Sequence, residues 1–162
     1  MKTLLLMRHA KADPSTAGVA DIDRPLLDEG RQAASRVGSF LKREQFMADV
    51  VLSSSALRAL ETVESVLQAM EISLDVRSDQ RIYDGGSLLL LEVLAEVEDD
   101  LKTTLLVGHN PVLEDLVQHL TGESVHLSPG TLAHVELAAE KWSEVHVGTN
   151  KLRSVVRPKE LN

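Results

Sequence analysis

Hydrophobic residues along this chain of 162 residues occur in short runs that alternate with helical patterns. Three runs, at residues 3–7, 49–52 and 103–107, do not alternate between polar and apolar residues. Such runs are typical of strands that are buried on both faces. Helical spacing of apolar residues follows at 33–41, 56–67 and 87–97, and another helix is predicted between an Asn110 cap and a Gly122 stop. A short strand is predicted at 74–77, and a hairpin at 132–138 and 142–147.

Strands that alternate with helices favour a three-layer α/β/α sandwich, with a mostly parallel central sheet and an antiparallel edge. The length suits a single domain of residues 1–150, and the charged residues 151–162 are expected to form a loosely held tail. Ligands of such folds bind beyond the carboxyl ends of the strands. Any chemistry is therefore expected directly after the three buried strands.

Composition excludes several classes of protein. The chain has no cysteine, which excludes disulfide scaffolds, cysteine zinc sites, iron–sulfur clusters and thiolate phosphatases. A formal charge of -8 argues against nucleic acid and anionic membranes as partners. No apolar run is long enough to span a bilayer, and Arg8 interrupts the apolar start, so a strand is predicted there instead of a signal peptide. The cytoplasm is the expected location.

Basic and imidazole side chains follow all three buried strands. Arg8 and His9 follow the first, Ser53–Ser55 and then Arg58 follow the second, and Gly108–Asn110, which includes His109, follows the third. Two guanidinium groups can hold a tetrahedral oxyanion, and helix N-termini add backbone N–H donors. This edge of the sheet is therefore predicted to bind a phosphoryl group.

A neutral imidazole is a good nucleophile and can accept a phosphoryl group covalently. The transferred group spreads its charge over three oxygens, so arginines and a second histidine can stabilise it without a metal. No carboxylate set at the strand ends suits a metal ion, and no glycine-rich nucleotide loop is present. We therefore expect neither a metal nor a cofactor.

Three segments resemble the motifs of one family. The sequence LLLMRHAKA resembles the Arg-His signature of the histidine phosphatase superfamily, which has the phosphoglycerate-mutase-like fold. Residues Ser53–Thr62 resemble its S-x-x-x-R-A-x-x-T motif, and Leu105–Pro111, LLVGHNP, resemble its second-histidine motif. The short chain and the GHNP form are most similar to the SixA-type phosphohistidine phosphatases, and the resemblance runs from Thr3 to about Val147.

The resemblance implies a role for each matched residue. The nucleophile falls on His9, the phosphate arginines on Arg8 and Arg58, and the second histidine on His109. Arg24 belongs to an R-P-L element that SixA-type members share. Three residues are further candidates for binding phosphate, each with a structural alternative: Arg24 could instead pair with an aspartate, Ser53 could cap a helix together with Ser54, and Asn110 could act only as a cap.

The sequence departs from the family pattern at two places. Ala10 follows the nucleophile where many members have glycine. Residues 81–86 lack the glutamate that serves as general acid in many members, and Asp84 is the nearest substitute. The lid insertion of the sugar-phosphate mutases has no room in this length, and an open cleft would suit a phosphate on a protein surface.

Several functions stay open at this point. The resemblance implies phosphohistidine on a signalling or phosphotransfer protein as substrate, and a small phosphate ester is the alternative. A phospho-binding module without turnover is a second alternative, which the retention of both His9 and His109 disfavours. A magnesium-dependent aspartyl phosphatase built on Asp21–Asp23 is a third, but residues 17–20 are a poor strand. The oligomeric state is left open.

Overall fold

The computed structural model describes all residues from 1 to 162. One sheet contains six strands: β1 (Lys2–Arg8), β2 (Val50–Ser54), β3 (Val76–Asp79), β4 (Thr103–Gly108), β5 (Leu132–Leu137) and β6 (Lys151–Val156). Five α-helices cover it: α1 (Asp28–Arg43), α2 (Leu57–Met70), α3 (Gln80–Asp84), α4 (Ser87–Ala95) and α5 (Val112–Thr121). None of these helices is long and apolar enough to cross a membrane.

The strand order is β3-β2-β4-β1-β5-β6. The pairs β3–β2, β2–β4 and β4–β1 are parallel, while β5 and β6 add an antiparallel edge. The predicted fold class is therefore confirmed. Since β1, β2 and β4 are adjacent and parallel, their carboxyl ends meet at one edge of the sheet.

Both faces of the sheet are buried, as the continuous apolar runs predict. Leu4 and Leu6 of β1 lie in one core with residues of α4 and α5. Leu5 and Met7 lie in the other core with residues of α1 and α2. Successive side chains of a strand point to opposite faces, so an uninterrupted apolar run is what a sheet between two helical layers requires.

The end of the chain differs from the sequence prediction. Residues 142–147 do not form the second strand of a hairpin: Trp142–Glu144 is a short 3₁₀ turn, and the Trp142 indole is buried and donates to the Leu101 carbonyl oxygen at 2.8 Å. The strand that pairs with β5 is β6. Its side chains are largely exposed because it is the edge strand. Its largely polar sequence therefore lacks the apolar pattern from which a strand is predicted. The expected loose tail at 151–162 is therefore wrong, since these residues complete the sheet and extend past the expected boundary at 150.

Candidate active site

The residues after β1, β2 and β4 surround a pocket of about 500 Å³. The His9 N–H donates to the Gly108 carbonyl oxygen at 3.0 Å, which joins the ends of β1 and β4. The pocket is lined almost entirely by polar and charged side chains: Arg8, His9, Asp21, Arg24, Arg58, Tyr83, Asp84, His109 and Asn110. The structure thus brings together every candidate site residue of the sequence analysis except Ser53.

The His9 imidazole is fixed in one orientation. Its Nδ1 lies 2.7 Å from the Ala10 carbonyl oxygen. A carbonyl can only accept, so Nδ1 carries the proton and Nε2 keeps a free lone pair. Burial lowers the pKa of His9 to about 3, although the Ala10 hydrogen bond opposes this shift, and the charges of nearby groups lower it further. His9 is therefore a neutral imidazole near pH 7, which is the nucleophilic form.

His109 lies beside His9, with 5.1 Å between the two ring centroids. Its Nε2 is 2.8 Å from the Ser54 hydroxyl oxygen. Burial lowers the pKa of His109 to about 4, the charge of Arg58 adds to this effect, and the carboxylate of Asp21 opposes it. The pocket therefore contains two neutral imidazoles, and neither is in the imidazolium form that could act as a general acid near neutral pH.

Two guanidinium groups bring positive charge into the pocket. Arg8 donates through Nη1 to the Leu127 carbonyl oxygen at 3.1 Å. Arg58 is buried, and its Nη1 donates to the backbone carbonyl oxygen of Asp21 at 2.8 Å. The Nε atoms of both arginines are buried and have no hydrogen-bond partner. Both arginines also line the pocket, and guanidinium groups are the kind of donors that bind a phosphoryl oxygen.

Asp21 and Tyr83 belong to the site, and the sequence analysis missed their place in it. The Asp21 carboxylate accepts from the Tyr83 hydroxyl at 2.7 Å, from Arg58 Nη2 at 3.2 Å and from Arg24 Nε at 3.0 Å. The Tyr83 hydrogen bond, together with the two arginines, lowers the pKa of Asp21 to about 2. Asp21 is therefore ionised near neutral pH and ties the loop before α1 to α2 and α3.

Ser53 does not reach the pocket, which corrects the sequence prediction. It is fully buried, and its hydroxyl donates to the Ser54 carbonyl oxygen at 2.9 Å. Neighbouring side chains of a strand point to opposite faces, so the next residue takes the position near the site. The Ser54 hydroxyl contacts His109 and also accepts from the Ala56 N–H at 3.1 Å.

The last residue of the S-x-x-x-R-A-x-x-T motif has a positioning role. The buried Thr62 hydroxyl accepts from the Ala10 N–H at 3.0 Å and donates to the Arg58 carbonyl oxygen at 2.7 Å. It thereby fixes the segment that carries His9 against the helix that carries Arg58. A single stretch of chain thus provides the contact to His109 through Ser54, a guanidinium group through Arg58 and the support of the His9 segment through Thr62.

The remaining candidates line the pocket with partners of their own. Arg24 pairs with Asp21, one of the alternatives left open above, and its Nη1 also donates to the Asp13 carbonyl oxygen at 2.7 Å. Asn110 is not the helix cap, which is Pro111. Its Nδ2 donates to Glu114 at 2.9 Å and to the Leu127 carbonyl oxygen at 2.7 Å. These bonds support the loop that backs Arg8.

Asp84 is exposed at the rim of the pocket, where it accepts from Gln80 Nε2 at 3.0 Å. Asp21 contacts two arginines and a tyrosine, and it does not form a pair with a second carboxylate. No group of three or more histidine, aspartate or glutamate side chains in the structure is arranged to hold a metal ion. What the pocket offers is a nucleophilic imidazole between cations, which suits transfer of an anionic group.

Comparison with known proteins points in the same direction. The model of the histidine phosphatase superfamily (branch 1) matches residues 4–87. An uncharacterized protein from Mycobacterium tuberculosis is 37% identical over 111 residues, which cover 68% of this chain and 66% of that protein. The chain thus spans about two thirds of the length of this relative.

Solved structures share the fold over nearly the whole chain. A protein from Nakamurella multipartitia, provisionally assigned as the phosphohistidine phosphatase SixA, has a TM-score of 0.85 and 30% identity, covering 97% of this chain and 96% of that one. The protein histidine phosphatase SixA in complex with tungstate has a TM-score of 0.85 and 22% identity over 98% of both chains. At 22% identity, the similarity to this second structure shows a common fold and nothing beyond it.

Proposed function

Because the chain belongs to branch 1 of the histidine phosphatase superfamily, we propose that it is a phosphatase that works through a covalent phospho-His9 intermediate. The substrate we propose is a phosphohistidine side chain on a signalling or phosphotransfer protein. The observation that carries the proposal is the state of His9: a neutral imidazole whose Nδ1–H is held by a carbonyl, next to two arginines.

The reaction has two displacements. In the first, the lone pair of His9 Nε2 attacks phosphorus, and the bond from phosphorus to the leaving group breaks with its electron pair. Arg8 and Arg58 neutralise the charge on the three transferred oxygens. In the second, water attacks phospho-His9, the P–N bond breaks, and phosphate leaves. Neutral His109, whose ring lies beside that of His9, takes the proton that this water loses.

The protonation state of the site favours a phosphohistidine substrate. An alkoxide leaving group needs a proton in the transition state, but the low pKa values leave both Asp21 and His109 without one near pH 7. An imidazole that carries a proton on its second nitrogen leaves as a neutral molecule and needs no acid. We assign the protonation of an ester oxygen to Asp84, the carboxyl at the rim of the pocket, so hydrolysis of small phosphate esters would depend on it.

The nucleophile is tested by trapping the intermediate. Wild-type protein is mixed with phosphoramidate, the simplest N–P compound, and quenched in alkali, where phosphohistidine is stable. We expect an alkali-stable, acid-labile adduct that peptide mapping assigns to His9. His9→Ala is expected to lose the adduct and essentially all turnover, whereas His146→Ala, a change at an exposed histidine outside the pocket, keeps both. Normal turnover of a folded His9→Ala protein would refute the assignment.

The substrate class and the metal requirement are tested on the same preparation. We expect a higher kcat/KM for a phosphohistidine peptide than for a panel of small alkyl phosphates, and the reverse order would favour the small-ester alternative. We also propose that catalysis needs no metal, since the pocket has cationic and imidazole groups. Activity should then survive exhaustive EDTA treatment, and its loss with recovery on adding magnesium would contradict the proposal.

A further inference from the structure

A second concave surface adjoins the catalytic pocket. This groove has a volume of about 380 Å³ and runs between α1 and the segments 128–129 and 158–159. Its charged residues are Lys11, Glu29, Arg36 and Lys159. Only Lys11 and Glu29 form an ion pair, at 3.0 Å, so the groove carries two unpaired cations in a chain whose formal charge is -8.

The groove and the catalytic pocket are lined by neighbouring segments of the chain. Lys11 lies two residues after His9, so their Cα atoms are at most about 7 Å apart. On the opposite wall, Leu127 accepts from Arg8 in the pocket, and the next two residues line the groove. The Gly130 N–H contacts the carbonyl oxygens of both Arg8 and His9 at 3.1 Å, which ties this wall to the nucleophile.

The far end of the groove is built by fixed contacts. The Arg36 Nε donates to the Pro158 carbonyl oxygen at 3.3 Å, so this guanidinium group is held across the groove while its Nη atoms form no ion pair. Glu29 and Arg36 are seven residues apart on α1, which is about 10 Å along the helix. The two unpaired cations thus lie where α1 meets the C-terminal 3₁₀ turn at 158–160, and Pro158 of this turn is close to Ala10, because a Cβ on Gly130 would contact both residues.

We propose that this groove binds an acidic, extended segment of the phosphorylated protein substrate, next to the phosphohistidine in sequence. The inference rests on the proposed function and adds how a protein substrate is recognised. The groove begins within about 7 Å of His9 and an extended chain advances about 3.3 Å per residue, so we expect the acidic residues to begin about two positions from the phosphohistidine. Unpaired cations next to an anion site attract a negatively charged partner, even though the net charge of the chain is negative.

The test uses two synthetic peptides that differ only in charge. Each contains one phosphohistidine, with glutamates at the second to fifth positions on both sides in one peptide and glutamines in the other. Rim ion pairs are individually weak, so we expect a kcat/KM about five-fold higher for the glutamate peptide at low salt, and a smaller ratio at high salt.

Charge reversal locates the effect. In Arg36→Glu/Lys159→Glu the preference for the glutamate peptide is expected to disappear, while hydrolysis of phosphoramidate, which is too small to reach the groove, stays unchanged. The control Lys102→Glu/Lys141→Glu makes the same charge change near the opposite edge of the sheet, where β4 begins and β5 has ended, and should keep the preference. Equal rates for both peptides with wild type, or a preference that survives in the groove variant, would overturn the proposal.

Binding without turnover separates this proposal from the proposed function. The unphosphorylated glutamate peptide is titrated into wild-type protein and followed by NMR. Shift changes centred on Lys11, Arg36 and Lys159 support the groove even if no substrate is hydrolysed, and changes centred elsewhere refute it. Failure to hydrolyse either phosphopeptide or phosphoramidate would instead contradict the phosphatase assignment.

Discussion

The two neutral histidines of the pocket make the stability of the protein depend on pH in a way that can be worked out. The native pKa values are about 3 for His9 and about 4 for His109, because both rings are buried among cations. In the unfolded chain each imidazole has a pKa of about 6.5. Below pH 6.5 the unfolded state therefore binds protons that the native state does not, and the free energy of unfolding decreases as the pH falls.

The size of this loss follows from the two pairs of pKa values. Between pH 8 and pH 5 each histidine shifts from neutral to almost fully protonated in the unfolded state, while it stays mainly neutral in the native state. At about 1.4 kcal/mol per pKa unit, each of these histidines lowers the free energy of unfolding by about 2 kcal/mol, or about 4 kcal/mol together. Asp21 contributes little in this range, because its stabilising effect is lost only as the pH falls from about 4 toward its low native pKa.

Urea denaturation measures the effect, with the fluorescence of the single, buried Trp142 as the probe. From His9 and His109, wild type is expected to lose about 4 kcal/mol of unfolding free energy between pH 8 and pH 5, and His9→Asn, which cannot take up a proton there, about 2 kcal/mol. Burial also lowers the pKa of His134, but this adds the same loss to both proteins. The difference between the two proteins therefore isolates His9. Equal losses in the two proteins would refute the conclusion that His9 is neutral in the native state.

The residues that could be placed from sequence are those that directly follow a buried strand. Arg8, His9 and His109 come immediately after apolar runs, and the topology of parallel strands brings such positions together. Arg58 lies in the first turn of the helix after β2, so it reaches the same edge. For these residues the local pattern and the tertiary arrangement carry the same information.

Other parts of the molecule depend on contacts that no local pattern reports. Asp21 lies in the loop before α1 and Tyr83 in the five-residue helix α3, and only the folded chain brings their side chains within 2.7 Å. Ser53 and Ser54 are both buried, so the sequence does not tell which hydroxyl faces His109. The edge strand β6 has only three apolar residues, Leu152, Val155 and Val156, which do not form the pattern of a strand. Its place in the sheet follows from its pairing with β5.

Three further substitutions test single contacts. Asp84→Asn is expected to lower kcat/KM for alkyl phosphates by about 100-fold, the usual scale for a positioned acid, and to leave phosphohistidine peptides nearly unchanged; a flat response across leaving groups would mean that this carboxyl is not the acid. Gly30→Ala should destabilise the protein by about 1 to 3 kcal/mol in urea denaturation, since the new Cβ would lie 2.2 Å from the Lys11 carbonyl oxygen of the segment that carries His9. Asp21→Asn acts on charge without changing shape, and the only tyrosine of the chain reports it. The hydrogen bond to the Asp21 carboxylate raises the pKa of Tyr83, because ionisation would place a phenolate beside a carboxylate. Removing that negative charge should therefore shift the absorbance titration of tyrosinate to lower pH, while kcat/KM falls for all substrates alike because Arg58 loses its ionic partner. An unchanged tyrosine titration in Asp21→Asn would show that the Tyr83–Asp21 contact does not persist in solution, and the link between the loop before α1 and α3 would have to be abandoned.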